Sequence, residues 1–203
     1  MDQVKAFLKF IFGVIIIIIL GGTIAIIPNL TKADLTKDDT KIIDYKEKLM
    51  KEEIEKYLQR QQKIAVEERK KNIYEMTMVI AQVVWCEDNR SLKGTLKVLS
   101  VAYNRAQEKL IEHVYAEITK PYQFECYQLI RDGKFKVKQD KLYKQIVNHV
   151  NLIVNGKFKP TTIATHYLNP KKVKNSPRWV KVYKRVEQYD QHAFYYSRNY
   201  YYD

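Results

Sequence analysis

The chain has 203 residues, enough for one globular domain with accessory segments and for a core that needs no cysteine staples. Lys and Arg outnumber Asp and Glu 36 to 23, and the excess is uneven: residues 1–72 carry 14 cations against 11 anions, residues 73–203 carry 22 against 12. A C-terminal part this basic suits an anionic partner such as nucleic acid, phospholipid or the acidic polymers of a bacterial wall, and argues against an acidic, solvating chain.

From Phe10 to Leu30 no charge occurs, and the stretch FIFGVIIIIILGGTIAIIPNL is long enough to cross a hydrocarbon core as a helix of about 20 residues. Residues 1–30 are therefore expected to be a transmembrane anchor. A cleaved signal peptide is the rival, since Lys5 and Lys9 precede the run. Its apolar part exceeds the usual core of about 7–15 residues, and the small-residue cleavage candidate around Thr23 to Ala25 is poor. Lys32, Lys37, Lys41 and Lys46 follow the run, so positive charge alone does not direct the C-terminus outward.

Residues 31–71 read as a helical linker. Asp38 to Lys71 lacks Gly and Pro and is rich in Lys, Glu, Gln and Ile. Ile43, Met50, Tyr57 and Ile64 recur every seven residues, while Glu47 and Gln61 interrupt the other half of a coiled-coil seam. The pattern fits a weakly self-associating stalk or a solvated spacer equally well.

A globular domain is expected over 72–203. Ile73, Met76, Ile80, Val83 and Val84 share one helical face, and continuing that stripe reaches Glu87. Leu92, Leu96, Leu99, Tyr103, Ala106 and Leu110 predict a second helix. Pro121 to Gln128 reads as a loop or short extended segment, and Leu142, Ile146, Val150 and Ile153 as a third helix closed by Asn155-Gly156. Beyond Pro160 the period changes: TTIATHYL alternates like a strand, and WVKVYKRVEQYDQHAFYY reads as two strands around a turn at Tyr189 to Gln191. Helices first and strands last predict an α+β domain with a small antiparallel sheet.

Glu87 ends an apolar face beside Trp85, a setting that disfavours the ionised carboxylate and prepares a general acid. Taken alone, a glutamate at a helix end is more often solvated or capping. The histidines at 113, 149, 166 and 192 and the two cysteines show no zinc spacing, and no glycine-rich phosphate loop occurs. No metal and no cofactor is expected, and nucleic-acid binding would rest on charge alone.

The segments VVWCED, LSVAYNR, QFEC, NGKF, ATHYLNP, PRWV and HAFYYS, in that order, make residues 73–197 resemble the SleB-type cell wall hydrolases, which act on peptidoglycan glycan strands. The resemblance implies a lysozyme-like or lytic-transglycosylase-like helical domain with a small sheet. It places the family's acid at Glu87, its Asn-Arg pair at Asn104-Arg105, and its Gln-Phe pair at Gln123-Phe124 with Glu125 in place of Ser. It also places the Thr-His-Tyr motif at Thr165-His166-Tyr167 and the final motif at His192, Phe194 and Tyr195. The family's second acid falls at Ser91, a departure that puts activity in question.

Lytic transglycosylation, which the resemblance implies, needs a single carboxyl. The acid protonates the glycosidic oxygen, then as a base deprotonates the sugar's own 6-hydroxyl, which closes a 1,6-anhydro ring; paired carboxylates serve ordinary hydrolysis. Glu87 is the expected catalytic residue, with Gln123, Phe124, His166, Tyr167, Trp179 and His192 as substrate-binding residues. Trp85 and Tyr122 are further aromatic candidates, and Trp85 and Phe194 are the ones best explained as core. Cys86 and Cys126 either pair or remain buried thiols. The expected protein is a single-pass anchored enzyme of the cytoplasmic membrane whose domain faces the wall and cleaves peptidoglycan, in phage lysis or entry, with a virion-associated form included, or in bacterial wall remodelling. Its rival is a non-catalytic wall-binding or scaffolding protein that keeps the fold.

Overall fold

The computed structural model describes residues 37–106, 109–121 and 123–197. The span expected within 1–30 lies outside them, and among the described residues no helix is long and apolar enough to cross a membrane. The chain divides into two compact units, Met1–Lys63 and Ile64–Asp203.

Helix α1, Lys37–Glu87, runs for 51 residues. No Gly or Pro interrupts it, so the linker helix and the first domain helix of the sequence reading are one element. Met50, Tyr57 and Ile64 of the seven-residue series are 40%, 60% and 51% exposed, so these three positions are not covered by the described residues. The expected stripe is buried toward the helix end, where Ile80, Val83 and Val84 are fully enclosed. Each such side chain contributes roughly 1.5–3 kcal/mol.

Helix α2, Leu92–Arg105, starts at Ser91, whose hydroxyl accepts the Gly94 N–H at 3.1 Å. It stops five residues short of the expected stripe. Ala106 is extended, Lys109 takes a left-handed φ of 58°, and Leu110 becomes the half-exposed N-cap of α3, Ile111–Thr119. The reading of Ala106 and Leu110 as helical is thus corrected: the chain turns back, and α3 buries Ile111, Val114 and Ile118 on its own face.

The segment taken for a loop contains α4, Glu125–Arg131, a seven-residue helix with Cys126 as its buried residue. Helix α5, Lys141–Val154, occupies the expected place. Its N-cap Asp140 accepts the Tyr143 N–H at 2.9 Å and the Trp85 indole N–H at 3.3 Å, which pins α5 to α1. Gly156, at φ 64°, closes α5 with the paired bonds Gly156 N–H to Ile153 C=O and Lys157 N–H to Leu152 C=O.

Three strands follow: β1, His166–Leu168; β2, Lys184–Tyr189; β3, His192–Tyr196. The antiparallel order is β1-β3-β2, with His166 opposite Tyr195, Tyr167 opposite Phe194, and an irregularity between Arg185 and Glu187. The first half of TTIATHYL is not strand, because α2 side chains take its backbone. Ser100 accepts the Thr161 N–H, Asn104 donates to Thr162 and Ala164 carbonyls, and Arg105 donates to the Thr165 carbonyl. Trp179 likewise lies in a 3-10 turn, Arg178–Lys181, instead of a strand.

Alternation gives the sheet two unlike faces. Phe194 packs with Val101, Ala164, Tyr167 and Tyr189 on the α2 side. Leu168, Ala193 and Tyr195 pack with Val173, Trp179, Val180 and Tyr183 on the other.

Candidate active site

Glu87 is the last residue of α1, half-buried where the apolar stripe ends. Its neighbour Cys86 forms a disulfide with Cys126, Cα to Cα 5.8 Å, across 40 residues of chain. The bridge brings the start of α4 to the carboxyl, and the Cys126 N–H donates to Glu87 Oε1 at 3.0 Å. From β1 the Tyr167 hydroxyl also hydrogen-bonds the carboxyl. Burial raises the Glu87 pKa above its ordinary value; the Cys126 N–H, the Tyr167 hydroxyl and His192 act against that rise, and Glu125 adds to it. Burial and then the charge of Glu87 hold the Tyr167 phenol protonated, so it remains a donor.

Asp88 is the residue that sequence reasoning passed over. It is 2% exposed and continues the helical turn, its N–H bonded to the Val84 carbonyl at 3.2 Å. Its backbone carbonyl accepts the Thr95 hydroxyl, and its Oδ1 accepts the Arg90 N–H. Its Oδ2 stands 3.7 Å from His192 Nδ1, within ionic reach, and among the described residues neither atom has a hydrogen-bond partner. Burial pushes the Asp88 pKa up, but His192 and the Arg90 amide and guanidinium outweigh it and hold the carboxyl below its usual value. A Cβ at position 94 would sit 2.2 Å from Asp88 Oδ2, so glycine there is what lets the carboxylate tuck into the start of α2. That glycine was the available signal.

His192, 4% exposed, meets the Tyr167 ring edge-on at 5.2 Å. Glu87, Tyr167, His192 and Asp88 therefore form one cluster. Gln123 is exposed and joins it indirectly, accepting from buried Arg105 at 2.7 Å, while the Arg105 guanidinium lies 5.8 Å from the Phe124 ring centre. Phe124 is 2% exposed, so this structure makes it a wall of the core and not an open sugar platform. Trp85 and Phe194 are buried as well, and Tyr122 lies outside the described residues.

His166 and Trp179 are not brought to Glu87. They sit on the other sheet face, ring centres 5.0 Å apart, where Trp179 stacks on Tyr183 at 5.7 Å. Tyr183, missed in the sequence, is also 4.7 Å from His166. Ser91, at the family's second-acid position, caps α2 and meets the Tyr189 hydroxyl at 3.3 Å. Asp190 pairs with Arg90 at 2.7 Å. Among the described residues no group of three or more His, Cys, Asp or Glu could hold a metal ion.

The profile of the Cell Wall Hydrolase family matches residues 89–195, beginning two residues after Glu87. Two solved structures are similar to the chain. The catalytic domain of the Bacillus cereus SleB protein is 22% identical, with 60% of this chain and 89% of that one covered and a TM-score of 0.45. The catalytic domain of the germination-specific lytic transglycosylase SleB from Bacillus anthracis is 22% identical, with 60% and 93% covered and a TM-score of 0.45. No curated protein matches. With more than half of its residues under that profile, this chain belongs to the cell wall hydrolase family.

Proposed function

We propose that the protein cleaves the glycan strands of peptidoglycan with Glu87 as both acid and base, leaving 1,6-anhydromuramic ends. The observation that carries this reading is the desolvated Glu87 carboxyl, raised in pKa and oriented by the Cys126 N–H and the Tyr167 hydroxyl. In the reaction Glu87 gives its proton to the glycosidic oxygen as the C1–O bond breaks. The 6-hydroxyl of the same sugar then attacks C1, and the Glu87 carboxylate takes the proton from that hydroxyl, which regenerates the acid.

Two other carboxylates are poorly placed to hold a hydrolytic water. Asp88 is enclosed against α2, and Asp190 is engaged by Arg90. Glu125 is exposed and close enough to raise the Glu87 pKa, and it supports a second reading in which it activates water and the ends are reducing. Mass spectrometry of digested sacculi decides, because an anhydro end is lighter by one water than a reducing end. Ends of neither kind, with protein sedimenting on intact walls, would make it a wall-binding protein.

The reading extends to place. Residues 10–30 would anchor the chain in the cytoplasmic membrane with the domain on the wall side, in phage lysis or entry or in wall remodelling. The Cys86–Cys126 disulfide supports that side, since such bonds persist in oxidising compartments. Labelling of an engineered domain cysteine by a membrane-impermeant reagent on intact cells tests it; protection until lysis would place the domain inside.

A further inference from the structure

We infer that the Cys86–Cys126 disulfide is a positioning element of the active site, holding a main-chain N–H of α4 against the Glu87 carboxyl, so that reducing it switches cleavage off. The inference rests on the reading of Glu87 as the acid. Cys86 directly precedes Glu87, and Cys126 is the residue whose own N–H reaches Glu87 Oε1 at 3.0 Å. The covalent link and the hydrogen bond therefore join the same two short segments.

Apart from Phe124 at its N-cap, which is 2% exposed, α4 itself is lightly packed. Of its seven residues only Cys126 is buried, so the half-cystine is its one fully packed side chain. Tyr127 and Ile130 are partly buried, Glu125, Gln128 and Arg131 are exposed, and the N-cap Phe124 makes no side-chain cap bond. A short helix with one buried residue belongs to the part of a fold that opens locally at low cost. Cys86, by contrast, sits on α1 beside fully buried Val83 and Val84. Cutting the bridge should loosen the first turn of α4 while Glu87 stays on α1.

The groups facing Glu87 come from three elements. From α4 come the Cys126 N–H and Glu125, from β1 Tyr167, and from β3 His192, with Asp88 and Arg105 acting on Tyr167 behind them. If α4 moves away, loss of the N–H favours the protonated acid and loss of Glu125 favours the carboxylate. Water admitted by that movement also favours the carboxylate, since burial is the largest cause of the raised pKa, so the titration of Glu87 should shift on reduction. The chemistry balances with a dithiol: it supplies two electrons and two protons, Cys86 and Cys126 become thiols, and the dithiol closes to a cyclic disulfide.

The test uses the full chain, with dithiothreitol as reductant. Sacculus cleavage should fall about tenfold or more, as a misplaced catalytic group would cause, and return on reoxidation, while circular dichroism keeps its helical signal. The alkaline limb of the residual activity should move with the Glu87 titration. By NMR, the Cys126 amide should follow the titration of the Glu87 carboxyl in the oxidised protein and not in the reduced one. The Cys86→Ser/Cys126→Ser protein should behave as reduced without any dithiol. Equal cleavage and equal titration in both states would overturn the inference, and so would cooperative unfolding on reduction, which would make the bridge a general staple. An oxidised protein that cleaves nothing would sink the glycan-cleavage reading, while the paired titrations would still decide this one.

Discussion

Tyr167 and His166 are adjacent on β1, yet pleating sends them to opposite faces of the sheet and into different chemistry. The Tyr167 face meets the ends of α1 and α2 and gathers Glu87, Asp88 and His192 around a phenol. The His166 face packs against residues 173–183, where Trp179 and Tyr183 flank the imidazole, and Tyr195 stands opposite His166 on β3. Residues 169–186 contain seven Lys and Arg and no Asp or Glu. On the proposed reading, one face moves protons. The other presents aromatic rings and positive charge, a surface suited to gripping a sugar polymer. Variants on the first face should therefore change the rate and its pH dependence, and variants on the second should change apparent affinity.

The sharpest separation comes from Glu87→Gln. Cleavage should fall roughly 10²- to 10⁴-fold, the contribution of a general acid-base group, with helicity unchanged. Stability should move the other way. The folded-state pKa of Glu87 lies above its ordinary 4.5, so the parent loses stability as pH rises from 4.5 through the folded value, a loss the amide does not share. Melting curves should coincide at pH 4 and show the variant higher at pH 8. Equal cleavage by variant and parent would move the acid elsewhere, to Glu125 first.

Gly94→Ala tests how the proton-handling face is assembled. In an exposed helix interior this change stabilises by about 1 kcal/mol. Here the new methyl would meet Asp88 Oδ2 at 2.2 Å and its Cγ at 3.0 Å, and the carboxyl is enclosed. Destabilisation of about 1–3 kcal/mol in urea unfolding is expected, as for overpacking. A stabilised variant would mean that Asp88 swings out freely.

Tyr167→Phe keeps the ring and removes the hydroxyl. That hydroxyl lowers the Glu87 pKa, so the variant's acid should titrate higher and the alkaline limb of its pH profile should move up. A loss of about tenfold, close to the value of one hydrogen bond to a charged group, is expected in kcat with KM nearly constant. An unmoved limb would leave Tyr167 a packing residue.

How far this geometry could be read from the sequence differs by element. The α1 stripe ending at Glu87 and the α5 stripe with its Asn155-Gly156 stop were legible, because burial imposes a 3.6-residue period and a left-handed cap selects glycine. The break at Arg105 was not: Ala106 stays buried after the helix ends, so hydrophobicity alone could not mark the turn. Helix α4 was hidden because it has one buried residue, too few to make a period. The core roles of Trp85 and Phe194 were anticipated. The division of the Thr-His-Tyr motif between two faces follows from strand alternation, and its consequence for His166 emerged only once Trp179 was seen to lie behind the sheet. Asn104-Arg105 carries no sign of its task in the sequence, since it acts by holding the backbone of residues 162–165, which lie far along the chain.

The smallest effect expected is that of Trp179→Ala, and it tests the second face directly. Trp179 is half-buried, stacks on Tyr183 with planes 23° apart, and meets Tyr195 edge-on at 5.3 Å. Each such aromatic pair is worth about 0.5–1.5 kcal/mol, so some stability will be lost with the ring. If the face grips glycan, the loss should also appear as a severalfold rise in the apparent KM for sacculi, with kcat and both limbs of the pH profile unmoved, because none of the groups that shift Glu87 lies on that side. Tyr183→Ala should give the same pattern, whereas Tyr167→Phe should not. A fall in kcat with a displaced alkaline limb would show that the sheet transmits changes from one face to the other, and the division between gripping and proton transfer would fail. A Trp179→Ala protein that is less stable but kinetically identical would leave the second face as core alone.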